Sequence, residues 1–175
     1  MGLVLMAQGR FLARFMTEAL NKQVPRRGRS AATAPGNSLE QQEAEDLMIG
    51  LLGKTLGAPL AKKRFELPAG GWLEIDGYCE SPRILCEAWA HIGRPKPAQK
   101  NKVMADAMKL LFAVSLAPGH QRLILAFADE GAASHFRGDS WMAQALKAKG
   151  IETHVVELPN DVRERILLAQ NRQYR

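Results

Sequence analysis

The chain has 175 residues, 46% of them apolar but only 6% aromatic, enough for one α/β domain with an aliphatic core plus a tail. No apolar run approaches the ~20 residues that span a bilayer, and in MGLVLMAQGRFLARFM the arginines follow the apolar stretch, so no secretion signal is expected and the cytoplasm is the expected compartment. The net charge of +6 is uneven: residues 1–39 carry six basic residues and one acid, the remainder 18 and 17, which makes the rest of the chain nearly neutral.

Residues 3–23 read as a ragged amphipathic helix through Leu5, Leu12, Phe15, Met16 and Leu20. VPRRGRSAATAPGNS then reads as a basic flexible linker, so that residues 1–37 stand apart from a domain over 38–175. Asn37 or Ser38 can cap the next helix, with Glu40 and Glu43 in its first turns. Its apolar face runs through Leu47, Met48, Leu51, Leu52 and Leu56, and Gly57-Ala58-Pro59 ends it.

Three strands are expected over 64–67, 72–78 and 83–90, joined by turn-like Pro68-Ala-Gly-Gly and Glu80-Ser-Pro into an antiparallel meander. A helix over 98–114 follows, its apolar stripe through Met104, Ala107, Met108 and Leu111. Residues 122–128 make a buried strand, 140–149 a helix stopped by Gly150, and 151–158 another strand. Asn160 or Asp161 caps a last, Arg-rich helix. Such an order implies a mixed sheet flanked by helices.

Cys79 and Cys86, the only two cysteines, fall in or beside strands and read as free, small apolar residues rather than as a disulfide or zinc site. Trp72 and Trp141 read as core. The histidines show no paired ligand spacing; His91 alone lies near an acidic candidate. Asp129-Glu130, at the end of a buried strand, read first as turn or helix-start acids. A Rossmann-like small-molecule enzyme built on them lacks a glycine fingerprint.

Glu87 is the only charge in the apolar run Ile84-Leu-Cys-Glu-Ala-Trp-Ala90 and shares its side with Leu85 and Trp89. A lone buried carboxylate costs several kcal/mol unless a cation or proton accompanies it. Asp76 alternates with Leu73 and Ile75, facing with Glu74 and Tyr78. Two carboxylates on paired strands make a hard-oxygen site suited to Mg²⁺. Stepping back one turn from Met104 and Val103 brings Lys100 and Gln99 to the sheet-facing side of the following helix, while Lys102, Asp106 and Lys109 project more outward and can pair with one another.

Asp76, then Glu87 in an apolar strand, then a Lys-bearing helix resembles the PD-(D/E)XK nuclease superfamily, and EAWAHIGRPKPAQKNKVMADAMKLLF looks like small bacterial members of it. The resemblance covers residues 38–158. It implies a restriction-endonuclease-like αβββαβ core and a metal-dependent nuclease hydrolysing phosphodiester bonds, with DNA as partner and Mg²⁺ or Mn²⁺ as cofactor. Asp76 and Glu87 would hold the metal with Glu43, for which Glu40 is the rival, and Lys100 or Lys102, with Gln99 beside it, would assist the nucleophile. Lys62, Lys63, Arg94 and Lys96 would contact phosphates. A homodimer is compatible with this reading. Two departures stand out: Ile75 precedes Asp76 where the family has Pro, and Trp89 occupies the place of the motif's Lys. They leave open an inactive nuclease fold serving as a nucleic-acid-binding or assembly module.

Overall fold

The computed structural model describes residues 39–117, 119 and 121–172. The N-terminal helix, the basic linker, the Asn37/Ser38 cap and His120 lie outside them. The described residues form an α/β structure of five strands and five α-helices.

Helix α1 (Leu39–Leu56) has Glu40 in its first turn and Lys54 in its last, each favourable to the helix dipole. Gly57, at φ +62, takes the left-handed turn that stops it. The meander follows as β1 (Ala61–Glu66), β2 (Trp72–Cys79) and β3 (Ile84–Trp89). Helix α2 (Pro97–Leu116) begins with Pro at its first position, where no backbone donor is missed. Then come β4 (Arg122–Phe127), short α3 (Glu130–Ala133) with a 3-10 turn over Ser134–Phe136, α4 (Trp141–Ala148), β5 (Ile151–Val155) and α5 (Asn160–Arg172). Ser140 caps α4 by accepting the Ala143 N–H at 3.1 Å.

The strands lie in the order β1-β2-β3-β4-β5. β1–β2 and β2–β3 are antiparallel, and β3–β4 and β4–β5 parallel. Alternation along β3 and β4 sends Ile84, Cys86, Ala88, Ile124 and Ala126 into a core shared with α1 and α5. Leu85, Trp89, Leu123, Leu125 and Phe127 enter a second core beneath α2, α3 and α4. The result is three layers, with the buried aromatic residues Trp89, Phe127 and Phe136 all on the side of α2, α3 and α4. Both cysteines are free and buried. Among the described residues no helix is long and apolar enough to cross a membrane.

Three expectations shift. β5 ends at Val155, although Val156 and Leu158 remain buried beyond it. Trp72 and Trp141 are 56% and 67% exposed rather than core; Trp72 opens β2 with the Arg64 guanidinium 4.1 Å from its ring, and Trp141 is the first residue of α4. The third concerns strand phase. Ala61 pairs with Tyr78 but Lys63 with Ile75, so two residues of β2, Asp76 and Gly77, stand opposite Lys62 alone. This β-bulge resets the alternation, and Leu73, Ile75 and Tyr78 all contribute to the second core.

Candidate functional site: a carboxylate–lysine cluster at the β2 bulge

The β2–β3 pairing runs from Cys79↔Ile84 to Gly77↔Cys86. Beyond it the strands part, and Asp76 Oδ2 takes the Ala88 N–H at 3.1 Å in place of a backbone carbonyl. The bulge therefore puts Asp76 next to the residue after Glu87. A Cβ on Gly77 would stand 3.0 Å from Ile49 Cδ1 and 3.2 Å from Cys86 Cβ, so the missing side chain is what lets α1 press onto the bulge. Glu45, one turn before Ile49 on α1, consequently reaches the Ala90 N–H at 3.4 Å.

Glu87 is only 3% exposed and its Oε2 contacts Lys109 Nζ on α2. Its Oε1 is buried without a hydrogen-bond partner. Burial, followed by the charge of Asp76, outweighs Lys109 and pushes the Glu87 carboxyl up to about 9. Burial likewise raises Glu45 to about 7 against the pull of Lys102. Burial also raises Asp106, whose partner Lys102 lies at 3.0 Å. For Lys102, burial pushes downward, but Asp106, Glu45 and Asp76 raise it on balance. Four carboxylates and two ammonium groups from α1, β2, β3 and α2 thus share one field.

The sequence expectations fare unevenly here. Asp76 acts electrostatically on both Glu87 and Lys102, while the direct partners of the three are Ala88 N–H, Lys109 and Asp106. Glu43 stands apart: it is exposed and faces Arg165 at 3.7 Å. The buried stripe of α1 is Gln41, Ala44, Met48, Ile49 and Leu52, not the one through Leu47, so Glu45 takes the expected place. The stripe of α2 is Val103, Ala107, Leu110 and Ala113, and Met108 is 64% exposed. That rotation brings Lys102, Asp106 and Lys109 inward. Lys100 instead lines a separate pocket with Arg94, Pro95, Ser134 and His135.

Gln99 accepts the Lys96 N–H at 2.7 Å and meets His91 Nδ1 at 3.4 Å, away from the carboxylates. His91 is buried and stacked on Trp89, with ring centroids 4.6 Å apart; burial lowers its pKa. Lys62 pairs with Asp46 at 2.7 Å, Lys63 lies over the Phe65 and Tyr78 rings, and Arg94 and Lys96 are exposed. Asp129 serves the structure: it accepts from Gly93 N–H at 3.0 Å and from Arg163 at 2.8 Å. Glu130 pairs with Arg137, which leaves the small-molecule reading without its acids.

Among the described residues no three His, Cys, Asp or Glu side chains gather closely enough to hold a metal. Asp76 and Glu87 nevertheless suit a divalent cation. They offer hard oxygens, and Glu87 Oε1 is buried with its lone pairs unused. Mg²⁺ commonly takes one or two carboxylates and keeps water in its other positions. Comparison of the chain with protein-family models, with curated proteins and with solved structures gives no match in any of the three.

Proposed function

We propose that the chain is a metal-dependent phosphodiester hydrolase acting on DNA, built on a restriction-endonuclease-like core. The observation that carries this reading is the buried Glu87, with an unpartnered oxygen, within the field of the Asp76 carboxylate. The meander followed by α2 and a parallel fourth strand is the order expected of that core.

Asp76 and Glu87 would hold a Mg²⁺ or Mn²⁺ ion, which when bound supplies positive charge against the phosphate and makes water a better nucleophile. Lys102, held by Asp106 at 3.0 Å, presents an ammonium that opposes the charge developing on the phosphoryl oxygens. Glu45, with a carboxyl near 7, is poised to accept the proton of the attacking water at neutral pH. Water adds to phosphorus, the bond to the leaving sugar oxygen breaks, and that oxygen takes up a proton.

Purified protein should cleave single-stranded, duplex or branched DNA when Mg²⁺ or Mn²⁺ is supplied. Glu87→Gln and Asp76→Asn should each lower the rate roughly 10²-fold or more. Unchanged cleavage by Glu87→Gln would overturn the mechanism.

A second reading draws on the Glu87–Lys109 contact and on Trp89 in the place of a lysine: a fold that binds nucleic acid without cutting it. It predicts DNA binding that Glu87→Gln leaves intact and no cleavage with either metal.

A further inference from the structure

The loop leaving β3 carries Arg94 past the start of α2, and there a pocket of about 260 Å³ is lined by Arg94, Pro95, Lys100, Ser134 and His135. Neither the Arg94 guanidinium nor the Lys100 ammonium has a carboxylate partner among the described residues. Most other cations of the fold do, including Lys62, Arg64, Lys102, Lys109, Arg122, Arg137 and Arg163. Two unneutralised cations facing one cavity repel each other unless an anion joins them. The loop beneath Arg94 is fixed on both sides. Gln170 bonds Ile92 N–H and C=O at 2.9 and 3.1 Å, and Asp129 takes Gly93 N–H. The far wall is equally fixed, because Ser140 Oγ donates to His135 C=O at 2.8 Å. The next residue is Trp141, 67% exposed at the start of α4. A basic pocket whose wall is bonded to the residue before an exposed aromatic offers the two parts that grip single-stranded nucleic acid, a cavity for backbone and a ring for a base.

We infer that Arg94, Lys100 and His135 form a phosphate subsite for a single-stranded nucleotide segment, with Trp141 as the platform for its base. The inference rests on the nucleic-acid reading above and adds to it the strandedness and the residues of a second contact region. It also gives Lys100 a binding role outside the carboxylate cluster.

Binding is measured in EDTA, so that hydrolysis plays no part, with a short 5′-hydroxyl single-stranded oligonucleotide and, separately, with inorganic phosphate. Arg94→Gln/Lys100→Gln should weaken oligonucleotide binding roughly tenfold or more. It should also flatten the log K against log salt slope by about 0.7 for each phosphate that the variant no longer neutralises. Trp141→Ala should weaken the oligonucleotide roughly fivefold or more while phosphate still shifts the His135 imidazole resonances. Lys147→Gln/Lys149→Gln removes the same charge from exposed positions of α4 and its end, and should weaken binding less; an equal loss would overturn the pocket in favour of a diffuse charge effect. Phosphate that shifts His135 without any oligonucleotide binding would overturn the nucleic-acid and Trp141 assignments and leave a site for free phosphate. Unchanged oligonucleotide affinity in the Arg94/Lys100 variant, with His135 unmoved by phosphate, would overturn the subsite, whether or not the protein cleaves DNA.

Discussion

With a carboxyl titrating near 9 in the folded chain against an ordinary 4.5, Glu87 keeps a proton on folding that the unfolded chain releases at neutral pH. Stability is therefore full below about 4.5 and declines as pH rises toward 9. Glu45, raised to about 7, acts in the same direction over the lower part of that window. In EDTA, Glu87→Gln should match the wild type near pH 4.5 and exceed it at pH 8 by about 1 kcal/mol or more, a rise of at least a few degrees in Tm. Parallel Tm–pH curves for the two proteins would show that Glu87 stays ionised beside Lys109. The residue itself is legible in the sequence, because a single charge inside an apolar strand has few physical explanations, and the structure buries it as that logic requires.

Elements are easier to place from sequence than their faces. Among the described residues each long helix and strand lies within a few residues of its expected range, because apolar periodicity and Gly or Pro stops mark existence and ends well. Rotation about a helix axis is a finer matter. On α1 the apolar residues Leu47, Met48, Ile49, Leu51 and Leu52 spread over more than half the helix circumference, and sequence spacing alone does not say that Leu47 is the exposed one. Sequence reasoning misses Glu45 for that reason; its signal is its spacing four before Ile49. On α2 the same ambiguity sends Lys100 to the cluster and Lys109 to solvent. The β2 bulge is illegible because two-residue alternation assumes an unbroken ladder.

Gly77 makes that bulge packable, which is directly testable. Gly77→Val should destabilise the fold by about 1–3 kcal/mol in urea unfolding, since Ile49 and Cys86 leave no room for a branched side chain. Adding Ile49→Ala should recover part of that loss, whereas two independent sites would simply add. Recovery would establish α1 pressing on the bulge as the contact that seats Glu45.

At the scale of the molecule, helix α5 ties distant parts together. Gln170 closes a pair of hydrogen bonds on Ile92, and Arg163 reaches Ala128 C=O and Asp129. The existence and Arg-rich character of α5 are readable in the sequence, but Asn160 and Asp161, expected as its cap, are its first two residues, and Pro159 C=O takes the Val162 and Arg163 N–H groups. That Gln170 holds the loop after β3 and Arg163 the loop after β4 is not readable, because such partners lie 78 and 34 residues away in the chain. Gln170→Ala leaves buried backbone groups unpaired and should cost about 1–3 kcal/mol. Amide exchange at Ile92 and Gly93 should accelerate well beyond that of β3 and β4. Protection unchanged at Ile92 would assign the loop's order to packing alone.

That tie lies 78 residues after the loop it holds, which sets an order of events during synthesis. All four clustered carboxylates and both lysines have left the ribosome long before Gln170 does, yet the loop bearing Arg94 has only the Asp129 bond to Gly93 N–H until α5 emerges and docks. A nascent chain stalled after Pro159 would hold the acids on an assembled sheet but present its basic pocket on a loose loop. The full order of that loop would then come only with the docking of α5.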